Sequence, residues 1–126
     1  MINNIIADSF SRIKNAQSAH NLETTVLYSK FMLEVLVILR NEGYIRGFSL
    51  DSGEIKIFLK YLNKKPMFRN INLISKPSRR VYYSISNLLK KNTQTGTFVI
   101  STSQGLFSSR DAIKKNLGGE VVCYIN

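Results

Sequence analysis

A chain of 126 residues with 44% hydrophobic side chains can bury one compact core or two smaller ones, which excludes a disordered polypeptide. Its 18 lysines and arginines outnumber 8 aspartates and glutamates, and the formal charge of +10 favours a polyanionic partner such as nucleic acid. Cys123 is the only cysteine, which excludes an intrachain disulfide and a cysteine-based metal site.

The first part of the chain is predicted to fold as an α-β-α-β-β module. Apolar residues recur at helical spacing from Ile2 to Ala16, which predicts an amphipathic helix with one polar face. Residues 23–28 follow as a short strand, and Ser29 stands where an N-cap would open a second, largely apolar helix that ends near Glu42. Two β-rich segments then pair as a hairpin. These segments are residues 44–50 and 54–62.

The sequence Asn-Lys-Lys-Pro at 63–66 interrupts this pattern with charge and with a proline, which cannot donate to a strand ladder. We therefore place a module boundary here. The N-terminal α/β module is expected at residues 1–62, and the C-terminal, basic, β-rich module at residues 63–126.

The second module is predicted to be mainly an antiparallel β-sheet with a short helix, so that the whole chain is an α+β protein. After a Ser-rich loop, Ser108 and Asp111 have the spacing of a capping box that opens this helix. Val121, Cys123 and Ile125 alternate along the last strand and are expected to face the same way. The other predicted segments are strands at 71–75, 81–85, 97–101 and 120–125, helical turns at 86–92 and a loop at 93–96.

Charge is distributed unevenly between the two modules. Residues 1–62 hold seven basic and six acidic side chains, whereas residues 63–126 hold eleven basic and two acidic ones. This asymmetry indicates that a polyanion contacts chiefly the second module. The alternative is a basic surface kept for solubility, although small domains seldom need a net charge beyond about eight for that purpose.

Two segments of the second module carry residue types that suit RNA binding. Residues 101–105, Ser-Thr-Ser-Gln-Gly, offer small hydroxyls for ribose, phosphate or base edges, and Gly105 lets the backbone turn; an ordinary strand-to-helix loop is the alternative. Residues 76–83 combine a Lys-Pro turn with adjacent arginines and tyrosines, which suits phosphate neutralisation beside stacking, unless they are simply an exposed turn. In the first module, Lys30 places a cation at a helix start, where amides favour phosphate.

Other classes of function are poorly supported. The second module offers only Asp111 and Glu120 as carboxylates, the sole histidine is His20 in the other module, and no Gly-x-Ser-x-Gly elbow or phosphate-cradling loop occurs. We therefore predict a protein that is not an enzyme and needs no cofactor, metal or small-molecule substrate. An enzyme built on the Ser-rich loop and a DNA-binding protein stay as alternatives, although no helix-turn-helix or zinc pattern supports the latter.

The N-terminus lacks a secretory signal and an Arg-rich presequence, and the longest apolar stretch, residues 31–39, is much shorter than the roughly twenty residues that span a bilayer. We expect a soluble protein that has no membrane partner and acts where it is made. Asparagine and isoleucine together supply 26 residues, and lysine exceeds arginine, as expected of an A+T-rich gene. We interpret this as a mitochondrial protein encoded in the organelle; a plastid or a bacterial cytoplasm is the alternative.

Segments along the whole chain resemble the bacterial-type small-subunit ribosomal protein eight family in order and spacing. The strongest match is VISTSQGLFSSRDAIKKNLGGEVVCYIN, which is similar to the family's Ser-Thr-Ser-x-Gly signature followed by a helix, Gly-Gly-Glu and a strand with Cys-Tyr. Tyr28 stands where the family has proline, Ser78 where it has glycine, and FSS where it has MTD after the signature. Ser78 leaves open whether the turn keeps a positive φ. The other matches are IADSFSRIKNA, SK and EGYI at the ends of the second helix, LKY and SKPSRRVY.

The resemblance implies a two-module fold that binds an irregular helix of the small-subunit ribosomal RNA central domain early in assembly, beside neighbouring small-subunit proteins. The implied core contact is made by Ser101, Thr102, Ser103 and Gly105. Further residues that would help are Lys30, Arg80, Tyr82 and Glu120. Arg79, from the basic turn at residues 76–83, is expected to bind RNA as well. A polar stripe on the first helix would face a second RNA element or a neighbouring protein. This stripe consists of Asp8, Ser11, Arg12 and Asn15.

Overall fold

The computed structural model of the protein describes residues 4–76, 78–91 and 96–126. These residues divide into two compact units, 4–69 and 70–126. The boundary expected after residue 62 lies seven residues before the end of the first unit. The expectations for Ile2, Pro77 and residues 92–95 fall outside the described residues.

The first unit contains the predicted α-β-α-β-β order, followed by a small hairpin. The helices are α1 (Asn4–Ser18) and α2 (Lys30–Asn41), and the strands are β1 (Glu23–Leu27), β2 (Ile45–Asp51), β3 (Glu54–Leu59), β4 (Tyr61–Leu62) and β5 (Lys65–Pro66). The three-stranded antiparallel sheet has the order β1-β3-β2, so that β3 lies in the middle.

Local signals explain these elements. Ser29 caps α2, because its side chain accepts a hydrogen bond from the amide of Met32 at 3.4 Å. Strand β3 alternates fully buried positions with more accessible ones along its length, as a half-buried strand does. The buried apolar face of α1 and α2 and the inner face of β3 form the core of the unit. Its large, fully buried members include Ile6, Ile13, Met32, Leu36, Leu39, Ile55, Ile57 and Leu59.

Within its described residues, the second unit contains a five-stranded antiparallel sheet and two helices, where the sequence indicated one clear helix and only some helical turns. The elements are β6 (Ile71–Leu73), β7 (Tyr82–Tyr83), α3 (Ile85–Lys91), β8 (Thr97–Thr102), β9 (Gly105–Ser108), α4 (Ser109–Lys114) and β10 (Gly119–Ile125). The strand order is β6-β10-β8-β9, and β7 also pairs with β10. The predicted Ser-rich loop is wrong in part, because Gly105–Ser108 pairs with β8 as a strand.

A bulge in β10 decides which side chains share a face. Val121 pairs with Ile100, but Cys123 pairs with Val99, so the register shifts by one residue between them. Since Ile100 and Val99 point to opposite faces, Val121 and Cys123 do too, and the expectation is wrong for Val121. Cys123 and Ile125 do share a face, because they pair with Val99 and Thr97, which are two residues apart on β8. The Ile100 and Val121 face belongs to a buried cluster whose other members are Leu88, Phe98 and Ala112.

Candidate nucleic-acid interface

The signature residues form the tight turn between β8 and β9. Thr102 pairs with Gly105, and the two residues between them are exposed. The Thr102 hydroxyl donates to the Gly105 carbonyl at 2.8 Å and accepts from the Gln104 amide at 3.1 Å. Gly105 has a φ of 117°, a conformation that favours glycine. Thr102 therefore holds the turn, while Ser103 presents its hydroxyl at the tip.

Three of the expected contact residues lie side by side across three strands. Glu120 of β10 pairs with Ser101 of β8 on one side and with Tyr82 of β7 on the other. Residues directly opposite each other project from the same face of a sheet. This face is the reverse of the one that carries Ile100 and Val121, because each of those residues is a chain neighbour of a row member. We call Ser101, Glu120 and Tyr82 the cross-strand row.

Arg80 joins this row through an ion pair. Its Nη1 atom lies 3.2 Å and 3.4 Å from the two carboxylate oxygens of Glu120. The Glu120 side chain is only 17% exposed, whereas Arg80 is 43% exposed, and Tyr82 is 65% exposed. The carboxylate thus lies beneath a more accessible guanidinium. It can orient Arg80 toward an anion without meeting that anion itself.

The loop that carries Arg79 and Arg80 is closed at its base by a serine that the sequence analysis missed. Ser75 is fully buried, and its hydroxyl accepts from the Val81 amide at 2.9 Å and lies 3.3 Å from the Val81 carbonyl. Within the loop, Lys76 and Arg79 exchange two backbone hydrogen bonds, of 2.7 and 2.9 Å. The sequence shows a serine directly before the Lys-Pro turn. Its burial, however, follows from the packing of the surrounding sheet and is not visible in the local sequence.

Gly119 allows the chain to pass close to Ser101. A side-chain carbon at this position would collide with the Ser101 carbonyl oxygen and would lie 3.2 Å from Ile100 Cγ2. In the sequence, Gly118 and Gly119 stand out only as part of the Gly-Gly-Glu match to the family. In the structure, Gly119 is also the first residue of β10 and pairs with Tyr83. It therefore sets the spacing of the cross-strand row.

The remaining expected residues belong to the first unit. Lys30 is exposed in the first turn of α2. Arg12 is exposed on α1 and pairs with Asp8 at 2.9 Å. Asn15 and Ser11 are exposed on the same helix. The structure thus brings Ser101, Glu120, Tyr82 and Arg80 together, whereas the α1 stripe and Lys30 are separate features of the other unit.

Other chemistry has little support among the described residues. No group of three or more His, Cys, Asp or Glu within residues 4–76, 78–91 and 96–126 is placed to hold a metal ion. No helix in these ranges is long and apolar enough to cross a membrane. Burial raises the pKa of the Cys123 thiol, which keeps it in the unreactive protonated form.

Comparison with known proteins gives one consistent family. The model of the family described as ribosomal protein S8 matches residues 4–126. The chain is similar to "Small ribosomal subunit protein uS8" of Xanthobacter autotrophicus, with 43% identity over 125 residues that cover 95% of each chain. The protein of the same name from Azorhizobium caulinodans is 42% identical over 129 residues, which cover 98% of each chain. That from Buchnera aphidicola is 39% identical over 124 residues, 96% of this chain and 95% of the relative.

Proposed function

Because the chain belongs to the ribosomal protein S8 family, we propose that it is a structural component of the small ribosomal subunit, where it binds an irregular helix of the ribosomal RNA central domain and supports its assembly. The prediction that the chain is not an enzyme is confirmed, because this is a family of structural proteins of the ribosome. Neighbouring small-subunit proteins are proposed as further partners, and the exposed stripe on α1 is the surface offered to them or to a second RNA element.

The observation that carries this proposal is the cross-strand row beside the signature turn. Ser101, Glu120 and Tyr82 are adjacent on three strands, and Arg80 is held over the row by Glu120. Cations neutralise phosphates and set the register of the RNA. Small hydroxyls and an exposed tyrosine suit the wide, shallow minor groove of RNA and its displaced bases.

A DNA-binding protein is a weaker candidate for the same surface. The row presents short hydroxyl side chains, which can reach the 2′-hydroxyl groups of RNA. Helices that read a DNA major groove carry long side chains on an exposed face. Within the described part of the second unit, the helices Ile85–Lys91 and Ser109–Lys114 span only 7 and 6 residues, so neither offers such a face there.

The proposal is tested by the affinity of the full chain for a central-domain fragment of small-subunit ribosomal RNA, measured with duplex DNA as competitor. Arg80→Gln should weaken binding about tenfold at ~0.1 M salt and reduce the slope of log affinity against log salt by about one, because one phosphate contact is lost. Ser103→Ala should weaken binding without changing that slope, since it removes no charge.

Two matched variants control this test. Lys114→Gln removes one positive charge from an exposed site at the end of α4, and Ser86→Ala removes one exposed hydroxyl from α3. Both should bind the fragment nearly as the unmodified chain does. The contact surface is misassigned if Arg80→Gln and Ser103→Ala bind unchanged, or if Lys114→Gln loses as much affinity as Arg80→Gln. Equal competition by duplex DNA would favour the DNA-binding alternative.

The cellular location is a separate proposal. The relatives described above are bacterial, which supports the bacterial cytoplasm, one of the two alternatives to the mitochondrial ribosome. The mitochondrial location stays a prediction from composition. Immunodetection of the protein in fractionated cells of its source distinguishes these locations: enrichment with mitochondrial ribosomes supports the composition argument, and its absence from organelles contradicts it.

A further inference from the structure

The net charge of the first unit is concentrated in one short segment. Residues 4–59 hold six basic and six acidic side chains, whereas residues 60–69 hold four basic side chains and no acidic one. These four are Lys60, Lys64, Lys65 and Arg69. The positive net charge of the unit is therefore confined to residues 60–69 and is not spread over its surface. This segment can attract a polyanion without help from the rest of the unit.

The charged segment contains the β4–β5 hairpin, whose turn projects two of the lysines. Tyr61 pairs with Pro66 and Leu62 with Lys65, so that Asn63 and Lys64 form a two-residue connection. Their φ angles are 52° and 66°, as in the type I′ turns that suit hairpins. Lysine seldom adopts this conformation. The hairpin nevertheless carries Lys64 at its tip and Lys65 next to it, both exposed.

A cleft of about 310 Å³ opens beside this hairpin. Lys65 and Arg69 line it from the charged segment, and His20 lines it from the end of α1. Two of its lining residues, Gln17 and Phe68, are buried. The Gln17 side-chain amide donates a hydrogen bond to the Phe68 carbonyl, which fixes this part of the cleft. The volume lies at the low end of the roughly 300–1,000 Å³ typical of small-ligand sites, which suits one nucleotide and excludes a duplex.

His20, which lines the cleft, is the outer member of a two-ring stack. The His20 ring lies parallel to the Tyr61 ring, with centroids 5.6 Å apart and planes 10° apart. The Tyr61 hydroxyl donates a hydrogen bond to the Asn21 carbonyl at 2.7 Å, which holds the Tyr61 ring in place. His20 itself is exposed. A nucleic-acid base can therefore extend the stack on the outer face of His20, as bases do on aromatic side chains.

We propose that the cleft lined by His20, Lys65 and Arg69 is a second RNA site in which one unpaired nucleotide stacks on His20 while Lys65 and Arg69 hold its flanking phosphates. The inference rests on the proposed function, since it takes RNA to be the polyanion. It adds a contact in the first unit, which includes Lys65 and Arg69 although the predicted boundary had placed both residues in the basic second module. Cations with an exposed aromatic stack favour single-stranded RNA over an acidic protein segment, which needs no stacking platform.

The test uses the full chain and intact small-subunit ribosomal RNA. Lys65→Gln/Arg69→Gln removes both cations, and Arg40→Gln/Lys56→Gln removes two charges from elsewhere in the same unit as a control. His20→Asn removes the ring while asparagine still tolerates the backbone φ of 58° at this position. Hydroxyl-radical footprinting maps the protected nucleotides, ultraviolet crosslinking with mass spectrometry identifies the peptides in contact, and salt titration gives the number of phosphate contacts.

We expect the Lys65/Arg69 double variant to lose one protected RNA segment and to lower the salt slope by about 1.5, since each phosphate contributes about 0.7–0.9. His20→Asn should lose the crosslink on peptides containing His20 or Tyr61 but keep the slope. Unchanged footprint, crosslinks and slope, or equal losses in the control, would overturn the second site. If the Arg80 and Ser103 variants still weaken binding in that case, the proposed function stands; if they also do nothing, the proposed function itself fails.

Discussion

Replacement of Ser75 by alanine tests whether a buried hydrogen bond organises the arginine loop. The Ser75 hydroxyl accepts from the Val81 amide at 2.9 Å, and alanine leaves that donor without its partner. The Val81 carbonyl is less affected, because it also accepts from the Val121 amide at 2.8 Å. The loss is therefore close to the cost of one unsatisfied buried donor, about 1–3 kcal/mol. Since Val81 is only half-buried, we expect about 1.5 kcal/mol.

For a chain of 126 residues, a loss of about 1.5 kcal/mol should lower the melting temperature by roughly 6 °C. Thermal unfolding followed by circular dichroism measures this shift. The loop should also lose order in the folded protein, and ordering one long side chain on binding costs about 0.5–1.5 kcal/mol. The affinity for the central-domain RNA fragment, measured well below the melting temperature, should therefore fall about two- to tenfold.

Ser86→Ala is the matched control for this prediction. Ser86 is exposed in α3, and such surface substitutions usually change the free energy of unfolding by less than about 0.5 kcal/mol. If the Ser75→Ala and Ser86→Ala proteins have the same melting temperature, the hydrogen-bond argument is refuted. A Ser75→Ala protein that melts lower but binds RNA normally would refute only the link between Ser75 and the arginine loop.

Three further predictions concern the second unit. Gly119→Ala places a carbon against the Ser101 carbonyl. Denaturant unfolding should therefore show a loss of about 1–3 kcal/mol in stability, and RNA titration should show weaker binding. Unchanged stability and unchanged affinity would contradict the close approach of the two strands. Ser108→Ala removes the cap that accepts from the Asp111 amide at 3.2 Å, and denaturant unfolding should register a loss of about 1 kcal/mol. Because burial raises the pKa of Cys123, iodoacetamide at pH 8 should label it slowly in the native protein and rapidly in denaturant, and equal rates would rule out the burial.

Family resemblance and local pattern predicted a large part of the candidate site. The serines, the threonine and the glycine of residues 101–105 were visible as a continuous signature, and the structure places them at the end of β8 and in the turn to β9. Ser75 was not found, because a serine before a turn is common and only the pairing around Val81 shows it to be buried. The role of Gly119 was also missed, since a close approach between β8 and β10 depends on residues about twenty positions apart.

The sequence by itself determined the features that depend on neighbouring residues: the amphipathic α1, the Ser29 and Ser108 caps, and the α-β-α-β-β order of the first unit. Only the tertiary structure decided the bulge in β10, the strand Gly105–Ser108 and the row that joins Glu120 to Ser101 and Tyr82. The physical reason is that helical periodicity and capping are set within a few residues, whereas strand register is set by the packing of distant segments. A shift of one residue in that register moves every later side chain to the other face of the sheet.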